Sequence, residues 1–168
     1  MWQSKNNKYS YILKLKYKIG FPSMFKTENF INRSDSIPSS FGIYIAQPIG
    51  NRMRVIDKRR SHLMPSVNEN YIKFGKSQNL KQRFKSYYFD NDGEVDFFPV
   101  LILDDFSAKE LKALESLIKS KVSAFRVRNP KTKRPLEWLE GIELDDLRSV
   151  INKCYSEFER CPIPDVRG

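Results

Sequence analysis

Three side chains of this sequence have types and settings suited to chemistry at phosphate: Glu115, Arg83 and Tyr44. Glu115 is bracketed by Leu111, Ile118 and Val122, so a helix through this segment carries a carboxylate on its inward half. Burying a carboxylate without a partner costs several kcal/mol, and such a group needs a cation, a donor set or a metal facing it. A divalent metal ligand and a salt bridge to a core-edge lysine or arginine both satisfy that need. Arg83 lies one turn before Tyr87 and beside Leu80 and Phe84, neighbours expected to hold its guanidinium in place. A fixed arginine offers bidentate donors to phosphate and neutralises charge developing on phosphorus during a displacement. An arginine that merely snorkels from an apolar face is the plain alternative. Tyr44 and Lys73 fall in two strand-like segments and can share an exposed sheet face. A tyrosine with the ordinary pKa of about 10 is ionised about one part in a thousand at neutral pH, so a tyrosine base needs a nearby cation. Lys73 is a candidate for that cation; otherwise the two are a strand aromatic and a solvated lysine.

Elements to position these groups are legible along the chain. Residues 41–46 (FGIYIA) and 71–74 (YIKF) are β-branched and aromatic and read as strands. Residues 75–88 (GKSQNLKQRFKSYY) turn into a helix with Leu80, Phe84 and Tyr87 on one face and Ser77 as its expected N-cap. Residues 95–103 (VDFFPVLIL) form a third strand, and Ser107 is expected to cap a helix running to about Phe125. Residues 136–139 add a short strand, and 143–158 a last amphipathic helix sharing Leu144, Leu147, Val150 and Ile151 on one face. In the N-terminal part, residues 9–19 alternate apolar and basic residues as a half-exposed strand does, and 34–40 (SDSIPSS) form a turn-rich linker. The expected organisation is a basic extension and linker over 1–40, a catalytic module with its C-terminal helix over 41–160, and a tail over 161–168. The fold class is α+β, a small three-stranded antiparallel sheet flanked by helices.

Composition bounds the partners. Thirty Lys and Arg against twenty Asp and Glu in 168 residues leave a net charge of +10, which favours a polyanion, either nucleic acid or an acidic membrane surface. Cys154 and Cys161 provide neither a disulfide framework nor a zinc ligand set, and His62 is the only histidine, which excludes a histidine-based nuclease site. No apolar run approaches the roughly 18 to 20 residues of a membrane span, and the N-terminus lacks the apolar block of a secretion signal, so a cytoplasmic protein in a reducing compartment is expected.

Taken together, these segments resemble the GIY-YIG nuclease family. The first motif stands intact as Gly42-Ile43-Tyr44. At the second, where the family has a form like YIGK, this chain has Lys73-Phe74-Gly75-Lys76. The following SQNLKQRFKSYY is similar to the family's NL-x-x-R helix, above all the version in the excision-repair incision subunit, where a tyrosine follows the arginine by four, as Tyr87 follows Arg83. The likeness spans about residues 41–129.

The resemblance implies hydrolysis of a DNA phosphodiester at one divalent cation, Mg²⁺ with Mn²⁺ as a substitute, held by Glu115 as the single protein ligand. It implies Tyr44 as general base, Arg83 as phosphate clamp, Tyr87 as orienting hydroxyl, and Lys73 as the group that lowers the pKa of Tyr44 or touches the nucleophile. Asn129, in RNPK, either matches a polar residue near the site or is a turn asparagine before proline. Backbone contacts to double-stranded DNA are expected from Lys76, Lys81, Arg126, Arg128, Lys131, Lys133 and Arg134, and from Arg52, Arg54, Lys58, Arg59 and Arg60 in the basic segment between the first two strands. Sequence preference would have to come from the extension, the basic insertion or a homodimer, in an enzyme of phage, mobile-element or restriction type. The competing expectation is a catalytically inactive nucleic-acid-binding protein that kept the fold, with Lys73 as the sign of lost chemistry.

Overall fold

The computed structural model describes residues 33–53 and 66–160. The 9–19 strand, Arg54, Lys58, Arg59, Arg60, His62 and Cys161 lie outside the described residues. Within them the chain forms β1 (Gly42–Pro48), β2 (Tyr71–Ser77), α1 (Leu80–Asp90), β3 (Val95–Ile102), α2 (Ala108–Lys121), a 3₁₀ turn (Ser123–Phe125), β4 (Arg126–Arg128), β5 (Pro135–Glu140) and α3 (Leu144–Arg160). The architecture is α+β, as the segment pattern indicates, but the antiparallel sheet is wider than three strands. It has five, in the order β3-β1-β2-β5-β4. Of the two additional strands, β5 is the short one expected at 136–139, and β4, at 126–128, is too short to show a period-two pattern in sequence.

Period-two alternation sends side chains to two covered faces. On one, Ile43, Ile45, Ile72 and Phe74 pack beneath α2 and α3 through Leu111, Leu114, Ile118, Leu147 and Ile151. Each fully buried aliphatic side chain there stabilises the fold by roughly 1.5–3 kcal/mol. On the other, Tyr44, Ala46 and Phe97 meet Leu80 and Phe84 of α1. The interior strand β1 is buried almost throughout because it is paired on both edges and covered on both faces. Pro99, which has no amide hydrogen to give, sits in the edge strand β3, where the register between β1 and β3 shifts opposite Ile43 and Tyr44.

Two helix starts test the capping expectations. Ser107 caps α2 in a full capping box: its hydroxyl accepts from the Glu110 amide, and the Glu110 carboxylate accepts from the Ser107 amide. At α1 the cap is Asn79 rather than Ser77; Asn79 Oδ1 accepts from the Gln82 amide at 2.8 Å. Ser77 instead ends β2 and closes the turn, its hydroxyl donating to the Asn79 carbonyl at 2.7 Å and accepting from the Asn79 amide at 3.1 Å. The strand runs three residues further than composition indicates, to Ser77 rather than Phe74, so the cap moves with it.

Gly42 has a packing reason for its identity. A Cβ there would lie 2.1 Å from the Leu101 carbonyl oxygen and 2.7 Å from Leu80 Cδ1. The carbonyl belongs to a paired strand and cannot move aside alone. Gly42→Ala is therefore expected to cost about 3 kcal/mol, the upper end of ordinary overpacking, seen in urea unfolding as a lower midpoint at unchanged slope. A variant within about 0.5 kcal/mol of the parent would refute this account of the motif glycine.

Candidate active site

The centre of the candidate site is Tyr44. Its ring is 3% exposed, lies stacked on Phe97 at 4.7 Å and 18°, and meets Tyr87 edge-on at 5.7 Å. The Tyr44 and Tyr87 hydroxyls are 3.4 Å apart, so strand β1 and helix α1 deliver two phenols to one point. Gly75, paired with Tyr44 across β1 and β2, leaves room for this: a Cβ at 75 would sit 2.6 Å from the Tyr44 hydroxyl oxygen. The glycine of the altered second motif is thus the floor under the tyrosine of the first.

Lys73 lies two residues earlier on β2, opposite Ala46 and on the same face as Tyr44. It is a buried lysine, not a solvated one, with its Nζ 2.7 Å from Glu137 Oε2, 5.8 Å from the Tyr87 ring centroid and 6.0 Å from that of the fully buried Trp138. Arg83 projects from α1 on the side of Tyr44 and is exposed. The expectation that its neighbours hold the guanidinium fast is corrected. Among the described residues no hydrogen bond or ion pair restrains it, because Leu80 and Phe84 turn into the core and leave Arg83 on the rim.

Burial pushes the Tyr44 phenol well above the ordinary tyrosine range, and the Tyr87 hydroxyl adds to the rise; Lys73, and after it Arg83, pull in the opposite direction. Both cations therefore act on Tyr44 in the sense a base requires, without overcoming desolvation. Because folding raises this pKa, the stability it contributes is complete below the unfolded tyrosine value of 10.0 and is lost as pH climbs toward the folded one. Tyr155, pushed up to about 12 chiefly by burial, adds to the same alkaline loss. Urea midpoints followed from about pH 8 to about pH 11 should fall, and fall less steeply in Tyr44→Phe. Equal slopes would show that Tyr44 is not the group responsible.

Glu115 is placed as its helical position implies, half-buried on α2 with 13% of its side chain exposed. Its charged partners among the described residues are Lys76 Nζ at 3.4 Å and Lys119 Nζ at 3.3 Å. Lys76 points to the α2 face of the sheet, opposite Ile43, whereas its neighbour Gly75 lies under Tyr44 on the α1 face. The structure thus brings Tyr44, Tyr87 and Lys73 together and aims Arg83 toward them. Glu115 is not among the groups that act on Tyr44; it stands on α2 in ion pairs with Lys119 and with Lys76, the residue next to Gly75 on β2. Among the described residues no three His, Cys, Asp or Glu side chains converge as a metal cage. One hard carboxylate suits a cation that keeps most of its waters and takes further oxygen from a phosphate, as Mg²⁺ does.

The basic residues divide. Arg126 donates through Nε to the Leu136 carbonyl at 2.8 Å and through Nη2 to the Pro135 carbonyl at 3.3 Å, and Arg128 donates to the Lys133 carbonyl at 3.1 Å. These two guanidiniums brace the β4–β5 hairpin. Lys76 is paired with Glu115, and Lys81 with Asp35 at 3.2 Å. Arg52, Lys131, Lys133 and Arg134 are exposed. Asn129 is the turn asparagine: its Oδ1 accepts from the Lys131 and Thr132 amides at 2.9 and 3.0 Å.

Three neighbours of the site carry no motif signal. Phe97 belongs to an unbroken apolar run, and Glu137 and Trp138 to a strand too short for alternation to assign faces. No helix among the described residues is long and apolar enough to cross a membrane. No curated protein and no solved structure matches the chain. The model of the T5orf172 domain does match, over residues 42–155, from the first residue of β1 into α3. That span exceeds half of the 168 residues and takes in Tyr44, Lys73, Gly75, Arg83, Tyr87 and Glu115, and the chain belongs to the T5orf172 domain family.

Proposed function

We propose that this protein is a GIY-YIG-type endonuclease that hydrolyses phosphodiester bonds of double-stranded DNA with one divalent cation. The observation that carries the reading is the Tyr44–Tyr87 hydroxyl pair, 3.4 Å apart above Gly75, with two cationic side chains acting on it. Membership of the T5orf172 family, which is grouped with GIY-YIG-like nucleases, supports it.

In this reading the exposed guanidinium of Arg83 binds the scissile phosphate and fixes it over the hydroxyl pair, and its planar fork opposes the charge that gathers on the phosphoryl oxygens. Tyr87 orients the Tyr44 hydroxyl through their mutual hydrogen bond. Tyr44 first gives its phenolic proton to solvent, a loss that burial opposes and that Lys73 and Arg83 favour, and the phenolate then takes a proton from the attacking water. Glu115, released from Lys76, would hold a hydrated Mg²⁺, which supplies Lewis acidity at a phosphate oxygen. The exposed Arg52, Lys131, Lys133 and Arg134 supply backbone contacts whose affinity falls with salt.

The ion pairs of Glu115 favour a second reading, in which the chain binds DNA and does not cut it. Supercoiled plasmid incubated with the protein separates the two. Nicking with Mg²⁺ that EDTA abolishes is the expected result; salt-sensitive binding without nicking under Mg²⁺ or Mn²⁺ would leave only the binder.

A further inference from the structure

Lys73 is the unusual feature of the site. It is an ammonium on a largely buried side chain, 8% exposed, placed between two aromatic rings and facing the tyrosine pair. A buried cation without a counter-charge is strongly disfavoured, and its four-carbon stem has rotamers that lead elsewhere. What holds it is Glu137, whose carboxylate reaches Nζ at 2.7 Å from β5. The β2–β5 pairing ends at Lys73 opposite Trp138, so Glu137 stands one residue past the ladder. It also lies in the stretch of β5 between Leu139 and Pro135 where the β4–β5 register shifts, so strict alternation does not set its face and it can turn toward Lys73. With 41% of its side chain exposed it remains hydrated while anchoring a group that is not.

We propose that Glu137 is a positioning residue, which fixes the Lys73 ammonium against the Tyr44–Tyr87 hydroxyl pair and so lets a lysine occupy the altered position of the second motif. The inference rests on the nuclease reading for its consequence in cleavage, but not for the geometry itself. The groups facing Tyr44 are Tyr87 and Arg83 from α1, Lys73 from β2 and Phe97 from β3. Of these, Lys73 has a carboxylate 2.7 Å from its charge, whereas Arg83 has no ion pair among the described residues. Trp138 completes the holder: buried and level with Lys73 on the neighbouring strand, it walls the ammonium on the side away from Tyr44. Glu137 reaches the tyrosine pair through Lys73, so its effect on that pair should vanish when the lysine is gone.

The test compares Glu137→Gln, Glu137→Asp, Lys73→Met and the Lys73→Met/Glu137→Gln double variant in two readouts. In plasmid nicking, Glu137→Gln is expected to lose about tenfold in turnover with KM changed less than about twofold, Glu137→Asp to recover most of the loss, and the double variant to match Lys73→Met. Without DNA, carbon-13 NMR of tyrosine-labelled protein should show the Tyr44 Cζ resonance displaced in the same direction by Glu137→Gln and Lys73→Met, with no further displacement in the double variant. Additive losses, or an unmoved Tyr44 resonance in a folded Glu137→Gln, overturn the proposal. If the parent protein does not nick DNA, the nuclease reading has failed, and the resonance cycle alone decides whether Glu137 positions Lys73.

Discussion

Glu115→Ala is expected to lower Mg²⁺-dependent nicking by at least about a hundredfold while DNA affinity is held or raised. The asymmetry follows from charge. Glu115 faces Lys76 and Lys119, so removing the carboxylate leaves two ammoniums with nothing but solvent or phosphate to neutralise them. Binding by backbone charge then gains, and cleavage loses its hard oxygen donor. Stability should change modestly, since Lys76 and Lys119 keep about a third of their side chains exposed and can turn to water once the carboxylate is gone. Nicking rates and fluorescence-anisotropy titrations on the same duplex, at one salt concentration, provide the measurement. Parental cutting by Glu115→Ala would remove the metal role from this residue; a variant that neither binds nor cuts would point to a damaged fold.

Arg83→Ala carries the second large effect, a loss of about 10²–10³-fold in kcat/KM with thermal stability unchanged. The stability half of this prediction comes from burial: α1 is anchored by Leu80 and Phe84, both fully buried, and Arg83 contributes neither to that contact nor to the Asn79 cap. The activity half comes from chemistry, because in the proposed function the exposed guanidinium that acts on Tyr44 is the fork-shaped donor assigned to the phosphate. Arg83→Lys should recover little, since an ammonium is a point charge and cannot grip two oxygens in a plane. A lysine variant with parental activity would show that charge alone suffices, and an alanine variant with parental activity would move the phosphate site elsewhere.

The positions of Lys73 and Glu115 also explain why one motif substitution need not end the chemistry. The face covered by α1 already holds two hydroxyls, from Tyr44 and Tyr87, each placed by an element other than β2. What β2 supplies is space, at Gly75, and a charge, at Lys73. The glycine constrains Tyr44 by steric contact, whereas the residue at 73 influences it electrostatically and is replaceable by another group that can be held in place.

The sequence by itself determined what depends on neighbours close along the chain. The β-branched run at 42–46, the apolar stripe of α2, the Ser107 capping box and the half-buried setting of Glu115 all follow from short-range periodicity and local hydrogen bonding, which any copy of that segment would obey. The grouping of Tyr44 with Arg83 and Tyr87 came from the likeness of their segments to the GIY-YIG motifs rather than from the periodicity of either segment, and the structure packs that strand and that helix face to face. Only the tertiary structure decided who sits beside whom across the sheet. Whether Lys73 is solvated or buried depends on Trp138 and Glu137, more than sixty residues away on a strand that β2 selects by pairing. The same holds for the two lysines on Glu115 and for the arginines that brace the β4–β5 hairpin, since an ion pair or a side-chain bond to a carbonyl has no period and leaves no trace in composition. Cross-strand register fixes those partners, and register is a property of the assembled sheet rather than of any one segment.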